Sequence, residues 1–227
     1  MNYKQLCITS FSLSIMLVIF VQFGYFHTMD SFIYEWTKSM SNSTTDTMWR
    51  IFTLVGETEV LAILSLVIII FLIWQRKWKE SFLFLFLMGI GVVLTFCLKV
   101  LFQRDRPGGI KYIDFWGFGQ EIISYSFPSG HAVKSLLLLG FIIWLFHHTG
   151  NPNKLKPLIY FLLVFAIAMC GIGQVFLHEH FLSDSIGGFI IGVSILFFSF
   201  WMYSLWEDRR VRSSLKSNHR EKKEIAN

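Results

Sequence analysis

The stretch "SFPSGHAVKSLLLLG", residues 126–140, decides how this chain folds, because a Pro-Ser-Gly-His tetrapeptide runs directly into an apolar helix. The proline suits the first turn of a helix, where its missing N–H costs nothing. The N–H groups of Ser129 and Gly130 then lie at the positive end of the helix dipole, which binds anions. His131 and Lys134 sit at the start of a segment otherwise suited to lipid. This combination predicts an anion site at a membrane surface.

The composition of the whole chain also indicates a membrane protein. Of its 227 residues, 54% are hydrophobic and 15% are charged, whereas soluble domains carry about 25% charged residues. A soluble chain of this length could not bury so much apolar surface in one core. We therefore expect one integral membrane domain over residues 1–227.

Six apolar stretches predict an all-α bundle of six transmembrane helices. A bilayer core of about 30 Å needs about 20 apolar residues per helix. The stretches cover residues 7–26, 60–74, 81–101, 132–146, 158–177 and 185–205. Residues 27–53, between the first two apolar stretches, alternate between polar and aromatic side chains, which predicts an interfacial helix or an ordered loop.

The distribution of charge predicts the orientation. With both termini in the cytoplasm, thirteen Lys and Arg residues lie inside and six lie outside, which satisfies the positive-inside rule. Seven of the thirteen lie in a basic tail at about 207–227. We interpret this tail as a topology signal that contacts anionic headgroups, not nucleic acid. The sequence thus predicts a multi-pass cell membrane protein whose loops after the third and fifth spans face outward.

Two cations follow the third span, in "LKVLFQRDRPGG". Lys99 and Arg106 are seven residues apart, so they share a face if the helix continues to about Arg106. An ammonium and a guanidinium on one face predict a phosphate clamp. The alternative is that both side chains snorkel to lipid phosphates.

A third motif, "GQVFLHEHFLSDSIGG", leaves the fifth span on the same outer side. His180 and Asp184 are four residues apart at the entry to the sixth helix. That spacing lets the carboxylate accept from one imidazole nitrogen while the other acts as a nucleophile. The three motifs together predict phosphoryl transfer to a histidine followed by hydrolysis, without a metal or a cofactor.

These residues resemble the type 2 phosphatidic acid phosphatase superfamily of membrane lipid phosphatases. Its signature K-x6-R-P, P-S-G-H and S-R-x5-H-x3-D is matched here by Lys99, Arg106 and Pro107, by residues 128–131, and by His180 and Asp184. The match runs from the third helix to the sixth. The six-span layout also agrees with bacterial members of the family.

The resemblance implies a role for each matched residue. His180 attacks phosphorus and carries a phosphohistidine, Asp184 orients His180, and His131 protonates the departing lipid alkoxide. The phosphoryl oxygens are held by Lys99, Arg106 and the N–H groups of Ser129 and Gly130. The implied substrate is a lipid phosphate or diphosphate in the bilayer, of the phosphatidate, phosphatidylglycerol phosphate or polyprenyl diphosphate class.

One departure from the family signature keeps alternatives open. Gly173 and Gln174 stand where the family has Ser-Arg, so Gln174 brings a hydrogen-bond donor to the clamp but no charge. Lys134, one turn after His131, either restores that charge or snorkels to headgroups. The alternative function is a weak or inactive protein on the same scaffold that binds or transports a phospholipid.

A metal hydrolase is the remaining alternative. His178, His180, His131 and Asp184 are possible ligands, but the helical H-E-x-x-H spacing is absent. Lys99 and Arg106 would repel a dication. Activity that survives thorough chelation would exclude this alternative.

Overall fold

The computed structural model describes residues 2–109, 112–114, 121–148 and 154–225. Within these residues the chain forms eight α-helices: α1 (Tyr3–Gln22), α2 (His27–Met40), α3 (Ser43–Thr53), α4 (Thr58–Trp74), α5 (Trp78–Phe102), α6 (Gly130–His148), α7 (Lys156–Phe176) and α8 (Leu182–Ile225). A 3₁₀ turn, Leu54–Gly56, joins α3 to α4. Strands β1 (Tyr112–Asp114) and β2 (Glu121–Ile123) pair antiparallel between α5 and α6. Lys111 and the basic side chains beyond Arg209 lie outside the described part.

Five helices are long and apolar enough to cross a membrane: α1, α5, α6, α7 and the first 28 residues of α8. The short helix α4 has 17 residues, about 25 Å at 1.5 Å per residue. It qualifies only together with Ser43–Gly56, from which it is bent by 40°. The predicted all-α membrane bundle is confirmed, with five candidate spans among the described residues, or six if this bent pair crosses as one.

The end of α5 differs from the prediction. The helix stops at Phe102, and Gln103 adopts a left-handed conformation with φ of 45°. The chain then turns so that the carbonyl of Arg104 accepts from the N–H of Ser126 at 2.7 Å. The prediction that α5 continues to Arg106 was therefore wrong, and Lys99 and Arg106 do not share a helix face.

A close approach between α6 and α8 brings two of the motifs together. A β-carbon on Gly188 would lie 2.7 Å from the carbonyl oxygen of Ser129, so only glycine lets the two helices touch there. One turn earlier, the N–H of Ser129 donates to the main-chain oxygen of Asp184 at 3.0 Å. The start of α6 and the start of α8 thus form a single rigid corner.

Helix α2 exposes an apolar stripe beside polar side chains and buries a carboxylate. Phe32, Trp36 and Met40 form an exposed stripe at four-residue spacing, and Phe32 is 67% exposed. The opposite face buries Asp30 and Thr37. A helix that exposes apolar side chains and buries a carboxylate suits an apolar exterior, as expected of an interfacial element.

Candidate active site

The turn between α7 and α8 points His180 into the protein. The carbonyl of Gln174, in the last turn of α7, accepts from the N–H groups of Glu179 at 3.0 Å and His180 at 3.2 Å. Within this turn, between Gln174 and Glu179, His178 has a left-handed φ of 57°. The His178 ring packs edge-on against Tyr34. His180 ends up 2% exposed.

A serine stands between His180 and Asp184. Their Nδ1 and Oδ2 atoms are 3.8 Å apart, which is longer than a hydrogen bond. The hydroxyl of Ser126 donates to that Oδ2 at 2.5 Å and lies 3.3 Å from Nδ1 of His180. Sequence reasoning missed Ser126, although it lies in the quoted stretch, two residues before the Pro-Ser-Gly-His tetrapeptide.

Counting protons assigns the tautomer of His180. An ionised carboxylate only accepts, so the single hydroxyl proton of Ser126 goes to Asp184. The Ser126 oxygen must then accept from the Nδ1–H of His180, which leaves the lone pair on Nε2. Burial lowers the pKa of His180 to about 3, and the charges of Lys99 and Arg106 act in the same direction. The imidazole is therefore neutral at neutral pH and has an available nucleophilic nitrogen.

Asp184 is held by two further donors. The N–H of Phe181 donates to its Oδ2 at 2.8 Å, and Nη1 of Arg104 donates to its Oδ1 at 2.6 Å. The other arm of Arg104, Nη2, donates to Oδ2 of Asp30 at 2.7 Å. Sequence reasoning singled out neither Arg104 nor Asp30. The only local signal was the position of Arg104 within the cation cluster after α5.

Lys99 and Arg106 meet despite the early end of α5, because both reach the segment 124–126. Lys99 Nζ donates to the carbonyls of Tyr125 and of Ser126, the latter at 3.3 Å. Arg106 donates from Nε to the Ser124 carbonyl at 2.7 Å and from Nη2 to the Ser124 hydroxyl at 2.7 Å. The predicted cation pair thus lies beside His180.

Donors remain available on both cations. Nη1 of Arg106 donates to the carbonyl and to Oε2 of Glu179, at 3.0 and 2.8 Å. Burial lowers the pKa of Arg106 while Glu179 opposes that shift, and a guanidinium stays charged in proteins. Lys99 uses two of its three donors and Arg106 four of its five within the described residues. One N–H of each is therefore not used by a partner within the described residues.

At the start of α6 the structure alters one prediction. The N–H of Ser129 is occupied by the carbonyl of Asp184, so it does not have the predicted freedom to hold a phosphate. The hydroxyl of Ser129 is 3.5 Å from the N–H of Ala132 and caps the helix. Gly130 begins α6 and stays a candidate for the backbone donor.

His131 and Lys134 face the junction between the 3₁₀ turn and α4. Nε2 of His131 is 3.4 Å from Oε1 of Glu57. A β-carbon on Gly56 would lie 2.6 Å from the His131 ring, so glycine permits this contact. Nζ of Lys134 donates to the hydroxyl of Thr58 at 3.1 Å, and its charge interacts with that of Lys99.

The departure from the family signature at Gly173 has a packing cause. A β-carbon there would lie 2.6 Å from the side chain of Thr53 and 3.3 Å from the carbonyl oxygen of Trp49. A serine would therefore collide with α3. Gln174 is buried, and its carbonyl supports the turn that carries His180.

The four side chains considered as metal ligands do not form one set. His131 lies beside Glu57, whereas His180 lies with Ser126 and Asp184. Among the described residues, no three His, Cys, Asp or Glu side chains are grouped to hold a metal ion.

Comparison with known proteins agrees with this geometry. The model of the PAP2 superfamily matches residues 80–208, from the start of α5 into α8. The chain belongs to the PAP2 superfamily. Phosphatidylglycerophosphatase B of Bacillus subtilis is 31% identical over 143 residues, which are 63% of this chain and 67% of that protein. The expectation of a membrane hydrolase of the lipid phosphatase class is thereby confirmed.

Two crystal structures share the PAP2 fold. The transmembrane PAP2-type phosphatidylglycerolphosphate phosphatase of Bacillus subtilis superposes with a TM-score of 0.72 at 22% identity, covering 89% of this chain and 96% of that one. LpxE of Aquifex aeolicus gives a TM-score of 0.54 at 20% identity, covering 74% of this chain and 92% of that one. Both support the membrane-embedded all-α architecture.

Proposed function

We propose that this PAP2 protein removes the terminal phosphate of a membrane lipid through a phosphohistidine on His180. The observation that supports this mechanism best is the buried arrangement of His180, Ser126 and Asp184. It supplies a neutral imidazole with its lone pair on Nε2, next to Lys99 and Arg106. A nucleophile of this kind needs both a lone pair and nearby cations for the phosphoryl oxygens.

The first step forms a bond between Nε2 of His180 and phosphorus and breaks the bond from phosphorus to the lipid oxygen. His131 gives its proton to the departing alkoxide. The positive charge that develops on His180 is stabilised by Asp184 through Ser126. The remaining donors of Lys99 and Arg106 hold the phosphoryl oxygens, together with the N–H of Gly130.

The second step returns the enzyme to its starting state. Water attacks phosphorus and gives one proton to the neutral His131, while the bond from phosphorus to Nε2 breaks. Inorganic phosphate leaves, His180 regains its lone pair, and His131 is again protonated. No redox change or external cofactor is needed for this balance.

The name of one relative supports a choice of first substrate. The name phosphatidylglycerophosphatase B points to phosphatidylglycerophosphate as the lipid on which that relative acts. We therefore propose phosphatidylglycerophosphate as the first substrate to test, in a panel with phosphatidate, a polyprenyl phosphate and a polyprenyl diphosphate. Release of phosphate from none of these would favour the alternative of a phospholipid-binding PAP2 protein, which the uncharged Gln174 had left open.

The experiment compares His180→Asn with His178→Asn in detergent-purified protein. His178 lies two residues away in the same turn, so this variant controls for disturbance of the turn. We expect His180→Asn to abolish phosphate release and His178→Asn to retain most of it. Wild-type enzyme quenched with alkali after mixing with ³²P-labelled lipid should hold an acid-labile label that His180→Asn lacks. Substantial turnover by His180→Asn would refute the mechanism, and loss of activity on chelation would revive the metal alternative.

We further propose that the site faces outward and that both termini are cytoplasmic, as the thirteen-to-six split of basic residues predicts. The test is labelling of intact cells with a membrane-impermeant thiol reagent, in a background without native cysteines. Ser41→Cys, between α2 and α3, should react, and Ser213→Cys in the tail should react only after lysis. The reverse pattern would invert the orientation without affecting the proposed chemistry.

A further inference from the structure

A carboxylate from a distant helix reaches the site. Asp30 lies on the inner face of α2, 153 positions before Ser183, and is 2% exposed. Its Oδ1 accepts from the N–H of Ser183 at 3.0 Å, and its Oδ2 accepts from the Ser183 hydroxyl at 2.6 Å. The same Oδ2 accepts from Nη2 of Arg104. A buried carboxylate with this many partners has one well-defined position.

Arg104 connects that carboxylate to both groups that orient His180. Its Nη1 donates to Asp184 at 2.6 Å and to the Ser183 hydroxyl at 2.7 Å. Its main-chain oxygen accepts from the N–H of Ser126, and its guanidinium stacks 4.6 Å from the ring centre of Phe181. Arg104 thus fixes both Ser126 and Asp184, each through a separate hydrogen bond.

The charges explain why Asp30 is needed in addition to Arg104. The Arg104 guanidinium lies between two carboxylates and bonds to both. Its positive charge is therefore partly neutralised by Asp30, which weakens its attraction for Asp184. Without the charge of Asp30, Arg104 would bind Asp184 more strongly and make it a weaker acceptor for Ser126. Arg104 would also lose the contact that holds its second arm.

We infer that Asp30 and Arg104 are positioning residues for His180. They hold Asp184 and Ser126 at the distances that keep the Nε2 lone pair of His180 aimed at phosphorus. This inference rests on the proposed role of His180 as nucleophile. It assigns to α2, which lies outside the three family motifs, a part in the chemical step.

Asp30→Asn is the informative variant. Asparagine keeps the size of the side chain and an oxygen for the N–H of Ser183, but it removes the charge. Partners that orient an active histidine in metal sites are worth about 10- to 100-fold in activity. We expect kcat to fall about tenfold for Asp30→Asn and about a hundredfold for Arg104→Gln, with KM changed by less than about threefold.

Two controls separate positioning from simple stabilisation of the fold. Thr37→Val alters a buried side chain on the same face of α2 whose hydroxyl, within the described residues, donates to the carbonyl of Tyr34 at 3.0 Å in the same helix. It should lower the Tm about as much as Asp30→Asn does and leave kcat unchanged. Ser183→Ala removes the hydroxyl that bonds to Asp30 at the start of α8. If Asp30 acts through Arg104 and not through this hydroxyl, Asp30→Asn should lower kcat by the same factor in Ser183→Ala as in the wild type.

The double variant Asp30→Asn/Arg104→Gln gives the decisive result. If Asp30 acts through Arg104, the double variant has the kcat of Arg104→Gln alone. Multiplicative losses, or a kcat for Asp30→Asn equal to wild type, would overturn the inference. His180→Asn in the same assay separates the two proposals, because an active His180→Asn refutes the proposed function whereas a silent Asp30→Asn refutes only this inference.

Discussion

The two histidines of the site lie in contrasting surroundings. His180, in the turn between α7 and α8, has a side chain only 2% exposed, with Ser126 and Asp184 against one ring nitrogen. His131, in the first turn of α6, has a side chain 20% exposed, and its neighbour Glu57 is 47% exposed. The His180 ring is enclosed, whereas the His131 ring is partly exposed, with its Nε2 covered and 3.4 Å from Oε1 of the exposed Glu57.

This difference matches the two jobs proposed for the histidines. A nucleophile must stay neutral and keep one orientation, and burial achieves both because it disfavours the charged ring. A general acid must release and regain a proton in every cycle, so it needs a route for protons. Burial therefore distinguishes two residues that are chemically identical in the sequence.

After loss of the nucleophile itself, the largest effect should come from removing the proposed acid. We expect His131→Gln to lower kcat on a lipid phosphate by about 10³-fold, within the range for general acid catalysis. On an aryl phosphate with a good leaving group the loss should be far smaller, because a phenolate leaves without a proton. His180→Asn should lose both activities. Equal losses on the two substrates for His131→Gln would contradict the division of roles.

Ser126→Ala should have the next largest effect. Without the hydroxyl, the Nδ1–H of His180 loses its acceptor, and Asp184 is left 3.8 Å from Nδ1. We expect the single-turnover rate of phosphohistidine formation to fall about 10- to 100-fold, with little change in KM. Ser135→Ala, which removes another buried hydroxyl that donates to the carbonyl of Ala132 and also contacts the Cys170 thiol, is the matched control. A Ser126→Ala rate equal to that of the control would show that Asp184 acts on His180 directly.

The enclosure of His180 should also be visible in stability. Its pKa is about 3 in the fold, against an ordinary value of 6.5. Between those values the unfolded chain binds a proton that the folded chain excludes, so stability is lost as the pH falls below 6.5. From pH 7 to pH 5 this group alone should cost about 2 kcal/mol. In denaturant unfolding in detergent micelles, the free energy of unfolding of His180→Gln should therefore fall by about 2 kcal/mol less than that of the wild type between pH 7 and pH 5. An unchanged dependence would mean that His180 is not shielded from water.

The smallest effect concerns Lys134, one turn after His131 in α6. Its ammonium donates a hydrogen bond to Thr58. It influences Lys99 through the electrostatic repulsion between the two positive charges. We expect Lys134→Met to lower kcat/KM about threefold and Lys134→Arg to restore it. A loss beyond about a hundredfold would assign Lys134 to the phosphate clamp, in place of the arginine that the family carries at position 174.

The sequence alone determined the membrane fold and predicted the main members of the candidate site. Apolar runs long enough for a bilayer located the spans, because that requirement depends only on neighbouring residues. The family blocks identified Lys99, Arg106, His131, His180 and Asp184, and the structure gathers the segments that carry them at one end of the bundle. Charge counting gave an orientation that awaits the labelling experiment.

Tertiary structure alone decided how those residues are held. Ser126, Arg104 and Asp30 reach the site through contacts across 58, 80 and 153 positions, and no periodicity in one sequence marks such pairs. The same holds where prediction failed: the left-handed Gln103 ends α5 before Arg106, and the carbonyl of Asp184 occupies the N–H of Ser129. A hydrogen bond depends on separation in space, which only packing of the helices defines.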